Sequence, residues 1–494
     1  MLHLIGIFGL LMLGVEPYGI GMLWGLARQL LLSSLAMQSE ILYLKVRETT
    51  RRIGFMRVAV IGAGSVGIVA AACLSSLGHL VVCCDKDDSK IDNLKRGILP
   101  IYEPNLEAIF ESSCQLGTLS FETSMATALK GAKVVLVAVG TPSAPGSSKV
   151  DLTQLNEVIC EIIAVAEDEK IVVVKSTVPF GTSARLEELK KKLRPDSKLE
   201  FASNPEFLRE GNAVMDFMKP DRIVIGVNNE KTRIILEELY AKLDRSYTAM
   251  VVTKPISAEL IKYTANSYLA TRLTFFNQIS DLCEATGANF NDLANGVGLD
   301  SRIGTHFMRP GPGFGGSCLP KDTNALAVAA REFGCPLTMV EAAIAANESR
   351  QASCVTRVEN AFGRSLQGSR TAVLGTAFKA ETDDIRQSAS IKLILDLQIR
   401  GVEVSVYDPK AMPRSKEILS NVRWAHSTLD ACRESDIVVI MTEWNEFGEI
   451  DPAELKGAMS GNVVVDFRNL FIPEKITSVG LNYFPLGLMP SFAL

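Results

Sequence analysis

The sequence predicts an α/β protein: two doubly wound, parallel-sheet domains joined by a long central helix. Three observations carry this expectation. Apolar strand-like runs alternate with helical stretches from Met56 to about residue 252, a shorter set of the same kind begins at Thr371, and a helical segment at about 257–286 lies between them. Such alternation buries a parallel sheet between helical layers.

The elements follow in order. MRVAVIGAGSVG, from Met56, reads as a buried strand running into Gly62, Gly64 and Gly67; AAACLSSLGH reads as a helix and LVVCCD as a second strand ending in Asp85. KVVLVAVGTP, KIVVVKSTVP, LEFASNPEF and DRIVIGV are further strand candidates. The helix from Ser257 to Thr286 ends at Gly287, a C-terminal cap residue. At ~1.5 Å per residue it spans over ~40 Å, enough to bridge two domains. In the second set TAVLGTAF, VEVSVYDP, SDIVVIMTEW and GNVVVDFRN are strands and SASIKLILDLQIRG a helix. Both sets have a Rossmann-like pattern. The expected divisions are an apolar extension (1–55), a dinucleotide-binding domain (56–252), a central helix with a dimerisation and cysteine region (253–355), and a second Rossmann-like domain (365–480).

Composition narrows the chemistry. The 494 residues are 47% hydrophobic and 22% charged with a net charge of −5 and no basic run, which argues against nucleic acid as a partner. Ten cysteines without a CxxC pair point to a reducing, cytoplasmic setting with buried thiols. His306 and His426 have no Cys or His neighbours at ligand spacing, His79 follows a glycine at a helix-to-strand turn and His3 lies in the 1–55 extension, so no metal site is expected. Residues 1–55 are apolar but broken by Glu16, Pro17 and glycines into pieces short of the ~20 residues that span a bilayer. They read as a start placed too early, with Met56 opening the functional protein; a membrane anchor is the alternative, and without it no membrane association is expected.

GAGSVG at 62–67 follows a strand and opens a helix, and Asp85 ends the next strand 23 residues after Gly62. The glycines allow a pyrophosphate to approach the helix N-terminus, and the acid accepts hydrogen bonds from ribose hydroxyls. Asp85 would repel a ribose 2′-phosphate, so the cofactor predicted is NAD rather than NADP. GTP at 140–142 and STVP at 176–179 stand at strand ends, where ligands of open α/β sheets bind or the chain merely turns. Lys262 and Asn266 are at i and i+4; spacing alone favours a solvated polar face. GPGFGGSCLPKD places Cys318 behind glycines and before Lys321 and Asp322. A nucleophilic thiol needs room for an incoming carbon and positive charge to favour its thiolate, and Lys321 follows within one helical turn. The competing reading is a small buried cysteine in a tight loop.

Taken together, VIGAGSVG, VGTPS, KSTVPFGT, SNPEFLREG, ELIKYTANSYLA, SRIG, GPGFGGSCLPKD and GTAFKAETDDIRQS resemble the UDP-glucose/GDP-mannose dehydrogenase family from Met56 to about residue 475. NPEFLREG followed by KPDRIVIG is similar to the UDP-glucose branch. The resemblance implies four-electron oxidation of UDP-glucose at carbon 6 to UDP-glucuronate, with NAD as acceptor and a thiohemiacetal and a thioester on Cys318.

The same resemblance implies the remaining roles. Lys262, helped by Asn266, would stabilise the oxyanion; Asp322 with Thr141 would hold a water; Glu206 would be the base for thioester hydrolysis. Phe207, Leu208, Glu210, Arg309, Phe314, Gly315, Phe378 and Lys379 would contact the sugar nucleotide, and Arg302 would reach a neighbouring subunit's site. Gly62, Gly64, Val66, Gly67, Asp85, Lys90, Thr141, Lys321 and Arg386 would hold NAD. A homodimer or larger homo-oligomer is expected, with Leu269, Leu273, Phe276 and Ile279 of the long helix packing against a partner. Competing readings are a GDP-mannose 6-dehydrogenase, a two-electron β-hydroxyacid dehydrogenase, which would not need Cys318, and a catalytically silent NAD-binding scaffold.

Overall fold

Eight strands form the first sheet: β1 (Arg57–Ile61), β2 (Leu80–Cys84), β3 (Leu119–Glu122), β4 (Val134–Val137), β5 (Lys170–Val174), β6 (Leu199–Ser203), β7 (Arg222–Gly226) and β8 (Ala249–Thr253). The structure is a computed structural model that describes residues 56–144, 146–243 and 248–493; the expectations placed on 1–55 lie outside the described residues. The sheet order is β3-β2-β1-β4-β5-β6-β7-β8. From β3 to β6 every pairing is parallel.

The β7–β8 pair departs from the all-parallel expectation, because β7 meets β6 antiparallel at Ser203 and Gly226. Between β6 and β7 run the NPEFLREG loop, which carries Glu206, and the six-residue helix Ala213–Met218.

The second sheet has β9 (Arg370–Leu374), β10 (Glu403–Tyr407), β11 (Arg423–Trp424), β12 (Ile437–Ile440), β13 (Val463–Asp466) and β14 (Asn482–Phe484) in the order β11-β10-β9-β12-β13-β14. All its pairings are parallel. Since β14 pairs with β13 through Val463 and Asn482, this domain runs past residue 480. Strands β3, β8, β11 and β14 add to those expected from the sequence: β3, β11 and β14 are short, and β8, although its AMVV run is apolar, lies largely exposed.

Between the sheets lies the helix Pro255–Thr286, with proline in its first turn and Gly287 capping it at φ 79°. The helices Leu319–Glu332 and Thr338–Phe362 pack along it. The second of these crosses the boundary expected at 355: its Cys354, Val355 and Val358 enter the core beneath the second sheet with Leu366, Val373 and Val439. The described residues within Met56–Glu237 and Leu243–Leu494 form one unit. Among the described residues, no helix is long and apolar enough to cross a membrane and no group of three or more His, Cys, Asp or Glu side chains is placed to hold a metal ion.

Candidate active site

The glycine turn shows why three glycines are spaced as they are. A Cβ on Gly62 (φ 100°) would lie 2.7 Å from the Ala138 carbonyl oxygen, and one on Gly67 would lie 1.8 Å from that of Gly62. Gly64 differs: a Cβ there would meet no protein atom within 4 Å and would project into a cavity. The helix Ser65–Ser76 starts at this turn without a side-chain cap or a first-turn acid, leaving backbone N–H groups for an anion. Asp85 at the end of β2 accepts hydrogen bonds from the Ala63 N–H (2.8 Å) and Lys90 Nζ (2.9 Å). Burial would raise its carboxyl pKa, but these bonds and the Asp87 N–H hold it below the ordinary value. Lys90 thus reaches the site through Asp85. This turn fits an NAD pyrophosphate across Gly64 and a ribose at Asp85.

In the second domain the matching turn is closed. Asp408, after β10, accepts hydrogen bonds from the N–H groups of Thr376, Ala377, Lys410 and Ala411 and from Trp444 Nε1. It is 2% exposed. With its oxygens spent on its own loop, it is not available to a ribose.

The two spacings give a direct prediction. Gly64→Ala should melt like the parent but bind NAD about tenfold or more weakly, because its methyl enters only the pyrophosphate path. Gly67→Ala should lose about 1–3 kcal/mol of stability through overpacking. Thermal melting with an NAD titration separates the two effects.

The long helix buries Lys262 and Asn266 instead of presenting them to solvent. Lys262 Nζ donates to Glu206 Oε1 at 3.0 Å, and the Leu208 N–H donates to Glu206 Oε2 at 2.6 Å. Asn266 Nδ2 donates to Asp322 Oδ2 at 2.6 Å, while Lys321 Nζ donates to Asp322 Oδ1 at 2.7 Å. Burial works against the Lys262 ammonium, but Glu206, Asp322 and Cys318 outweigh it and raise its pKa above the usual value. Lys262 is therefore a permanent buried cation.

Cys318 heads the helix Leu319–Glu332 and is half-buried, with its sulfur 3.4 Å from Ser317 Oγ. Its protonation state corrects the expectation from sequence. Burial, helped by Glu206 and Asp322, pushes the thiol up to about 11 against the opposing pull of Lys262 and Ser317. Lys321 pairs with Asp322 instead. The resting thiol is neutral.

Nor do the glycines before Cys318 leave open room. A Cβ on Gly315 would lie 2.4 Å from the Gln387 carbonyl oxygen, and one on Gly316 (φ 82°) would lie 2.8 Å from the Phe378 ring. The second domain occupies that space. Its Arg386 pairs with Asp384 (2.7 Å) and reaches Glu210 at 3.5 Å. Glu210 Oε1 also accepts the Ser317 hydroxyl at 2.8 Å, and burial with the Asp384 charge pushes the Glu210 carboxyl up to about 7. Lys379 stands 5.7 Å from the Phe378 ring, its pKa lowered by burial against the pull of Glu210 and Glu443.

A cavity of about 760 Å³ joins these parts: Gly64, Val66, Thr141, Glu206, Phe314, Cys318, Lys321 and Arg386 all line it. Lys262, Asn266 and Asp322 are buried beside it. Phe207 is held between Arg222, 3.8 Å from the ring centre, and Lys262 at 5.4 Å. Thr141 commits its hydroxyl proton to the Thr177 carbonyl oxygen at 2.8 Å, so it can only accept from a water. Arg302 is exposed and paired with Asp300 at 2.6 Å, and Arg309 is exposed; neither lines the cavity of its own chain. Thr177 and Ser317, also on the cavity wall, lie inside STVP and GPGFGGSCLPKD, motifs that point to the site without singling them out, whereas no local pattern indicates Asn347 or Gln351.

Three family models match the chain in succession: the NAD binding domain of the UDP-glucose/GDP-mannose dehydrogenase family at 56–244, its central domain at 256–349, and its UDP binding domain at 372–473. The chain belongs to the UDP-glucose/GDP-mannose dehydrogenase family. It is 42% identical over 434 residues to a UDP-glucose 6-dehydrogenase of Rhizobium meliloti, covering 87% of this chain and 99% of the relative. A Bacillus subtilis UDP-glucose 6-dehydrogenase is 39% identical over 433 residues, covering 87% and 93%. A UDP-glucose dehydrogenase structure from Pyrobaculum islandicum superposes with a TM-score of 0.81 at 35% identity, covering 87% of this chain and 98% of that one. As a member of the family, the chain is an NAD-dependent dehydrogenase, and NAD is its cofactor.

Proposed function

We propose that this dehydrogenase oxidises UDP-glucose to UDP-glucuronate through a thiohemiacetal and a thioester on Cys318. The observation that carries the reading is the buried Lys262–Glu206 pair beside the cavity that joins Cys318 to the glycine turn. NAD supplies the hydride acceptor for each of two oxidations. Lys262 Nζ stabilises negative charge as it develops on the carbon 6 oxygen, where a fixed cation in a dry site counts most. The Cys318 sulfur then bonds to the aldehyde carbon while a proton reaches the aldehyde oxygen, so the neutral thiol adds without a standing thiolate. After the second oxidation a water, deprotonated by Glu206, adds to the thioester carbon; the C–S bond breaks and the thiol returns. Asp322, which accepts from Asn266 Nδ2 and Lys321 Nζ, anchors both donors beside this cluster.

The test is the NADH yield from limiting nucleotide sugar, with UDP-glucose and GDP-mannose run side by side. Two NADH per UDP-glucose and little turnover of GDP-mannose are expected. One NADH per sugar, or a preference for GDP-mannose, would refute the reading. All ten cysteines are free, which suits work in the cytoplasm.

We also propose self-association through the long helix, on a face other than the one that Phe276 and Ile279 occupy. Phe276 is buried in its own chain against Cys283, Phe290 and Met308, with Ile279 packed on that cluster. Tyr268, Phe275 and Leu282 recur every seven residues and are exposed. A second copy would cover this stripe, and Arg302 would face the neighbour's site. Phe275→Glu with Leu282→Glu should convert a dimer or larger assembly to monomer in sedimentation velocity. A parent protein that already sediments as a monomer would rule this out.

A further inference from the structure

The loop that carries the cysteine is gripped from a helix that no motif pointed to. On Thr338–Phe362, Asn347 and Gln351 stand one turn apart and both address one residue, Phe314. Asn347 Oδ1 accepts the Phe314 N–H at 2.7 Å, and Asn347 Nδ2 donates to the Phe314 carbonyl oxygen at 3.0 Å. Gln351 Nε2 donates to that oxygen at 2.9 Å. From the same turn of the helix, Arg350, next to Gln351, donates its Nε–H to the Gly311 carbonyl oxygen at 3.0 Å. From the long helix, Asn277 Oδ1 accepts the Gly311 N–H at 2.9 Å.

The grip also requires the glycine before Phe314. Gly313 adopts φ 111°, and a Cβ there would lie 2.9 Å from both Asn347 Oδ1 and Gln351 Cγ. Asn347 is 7% exposed and lines the cavity, so its amide is a built part of the wall. Between Phe314 and Cys318 the chain is Gly-Gly-Ser, with Gly316 in the left-handed region at φ 82°. Two glycines give this stretch little stiffness of its own. The helix Leu319–Glu332 holds Cys318 from one side, and the Phe314 clamp fixes the approach from the other.

We infer that Asn347, assisted by Gln351, is a positioning residue for Cys318: by clamping Phe314 it sets where the sulfur stands along the cavity. The inference deepens the reaction proposed above and rests on it for the kinetic expectation. The first oxidation does not use the thiol, whereas the thiol must reach the aldehyde carbon before the second. Small misplacements of a reacting group cost rate steeply, so with NAD and UDP-glucose saturating the clamp should slow the second oxidation far more than the first, while its hold on Phe314, which lines the same cavity, is read separately in KM.

Rapid mixing of the full-length protein with NAD and UDP-glucose resolves the two NADH steps. With both ligands saturating, the second step in Asn347→Ala should slow by about tenfold or more and the first by a much smaller factor. Asn347→Asp keeps the acceptor but turns a carboxylate oxygen toward the Phe314 carbonyl. Lowering the pH to protonate it should recover the second step relative to the parent at the same pH. Gln351→Ala removes a single bond and should give a smaller loss with the same selectivity; it also serves if Asn347→Ala does not fold.

A second readout is independent of the reaction. Alkylation of Cys318 by iodoacetamide, followed at its own peptide without substrate, should speed up several-fold in Asn347→Ala as the loop loosens. Equal slowing of both NADH steps, an unchanged second step, or unchanged alkylation would overturn the clamp. If Cys318→Ser turned over like the parent while the Asn347 variant still alkylated faster, the covalent scheme would fall and the clamp would stand.

Discussion

Replacing Cys318 with serine is expected to stop the enzyme between its two oxidations. Serine keeps the size of the side chain and a hydroxyl beside Ser317, so both ligands should bind and one hydride should leave the sugar. The second half should then slow on the order of 10³-fold, or about 4 kcal/mol of barrier. In the parent the thiol is held neutral by burial, Glu206 and Asp322, its pKa pushed up to about 11. In the proposed scheme the sulfur would pass its proton to the aldehyde oxygen beside Lys262 as the C–S bond forms. A serine hydroxyl is far less acidic in the same setting, and the ester it would form has a poorer leaving group. The parent should give two NADH per UDP-glucose and Cys318→Ser close to one before a very slow phase, read by absorbance under single-turnover conditions. UDP-glucuronate formed by the serine variant at the parent's rate would remove the covalent mechanism.

Lys262→Met should cost the enzyme both activity and stability, and a second substitution should separate the two. Lys262 and Glu206 are 2% and 6% exposed and 3.0 Å apart. Removing one partner leaves a buried charge unpaired, which costs about 3–5 kcal/mol. Loss of a preorganised oxyanion partner lowers kcat by about 10²–10³-fold. Glu206→Gln added to Lys262→Met removes the stranded carboxylate, so most of the lost stability should return while activity stays low. Urea denaturation and initial rates on the two single variants and the double variant provide the check. A double variant no more stable than Lys262→Met would show that the pair is not the source of the cost.

The NAD-binding turn was legible because its chemistry is local. Gly62, Gly64, Gly67 and Asp85 belong to one strand–turn–helix–strand unit whose hydrogen bonds close within about thirty residues. The length and end of the long helix were legible for the same reason, since Gly287 caps it where the sequence placed a cap. Glu206, Lys262, Asn266, Cys318 and Asp322 could be named by motif, but no local pattern shows that Lys262 faces Glu206 or that Asn266 faces Asp322. Each of those pairs joins segments 56 residues apart.

By itself, then, the sequence determined the alternation of strands and helices, the glycine turn with its acid, and the residue types available for chemistry. Tertiary structure decided how they act. It reversed β7 against β6, a pairing that neither segment shows alone. It buried Lys262 and Asn266, which their spacing alone would have left in solvent. It turned Phe276 inward and left Tyr268, Phe275 and Leu282 outside. It filled the space beside Gly315 and Gly316 with Gln387 and Phe378, and it kept the Cys318 thiol neutral despite a cation close by. The physical reason is common to all five. Turn geometry depends on neighbours along the chain, whereas burial and electrostatic potential depend on which distant segments arrive, and those are known only once the chain has packed.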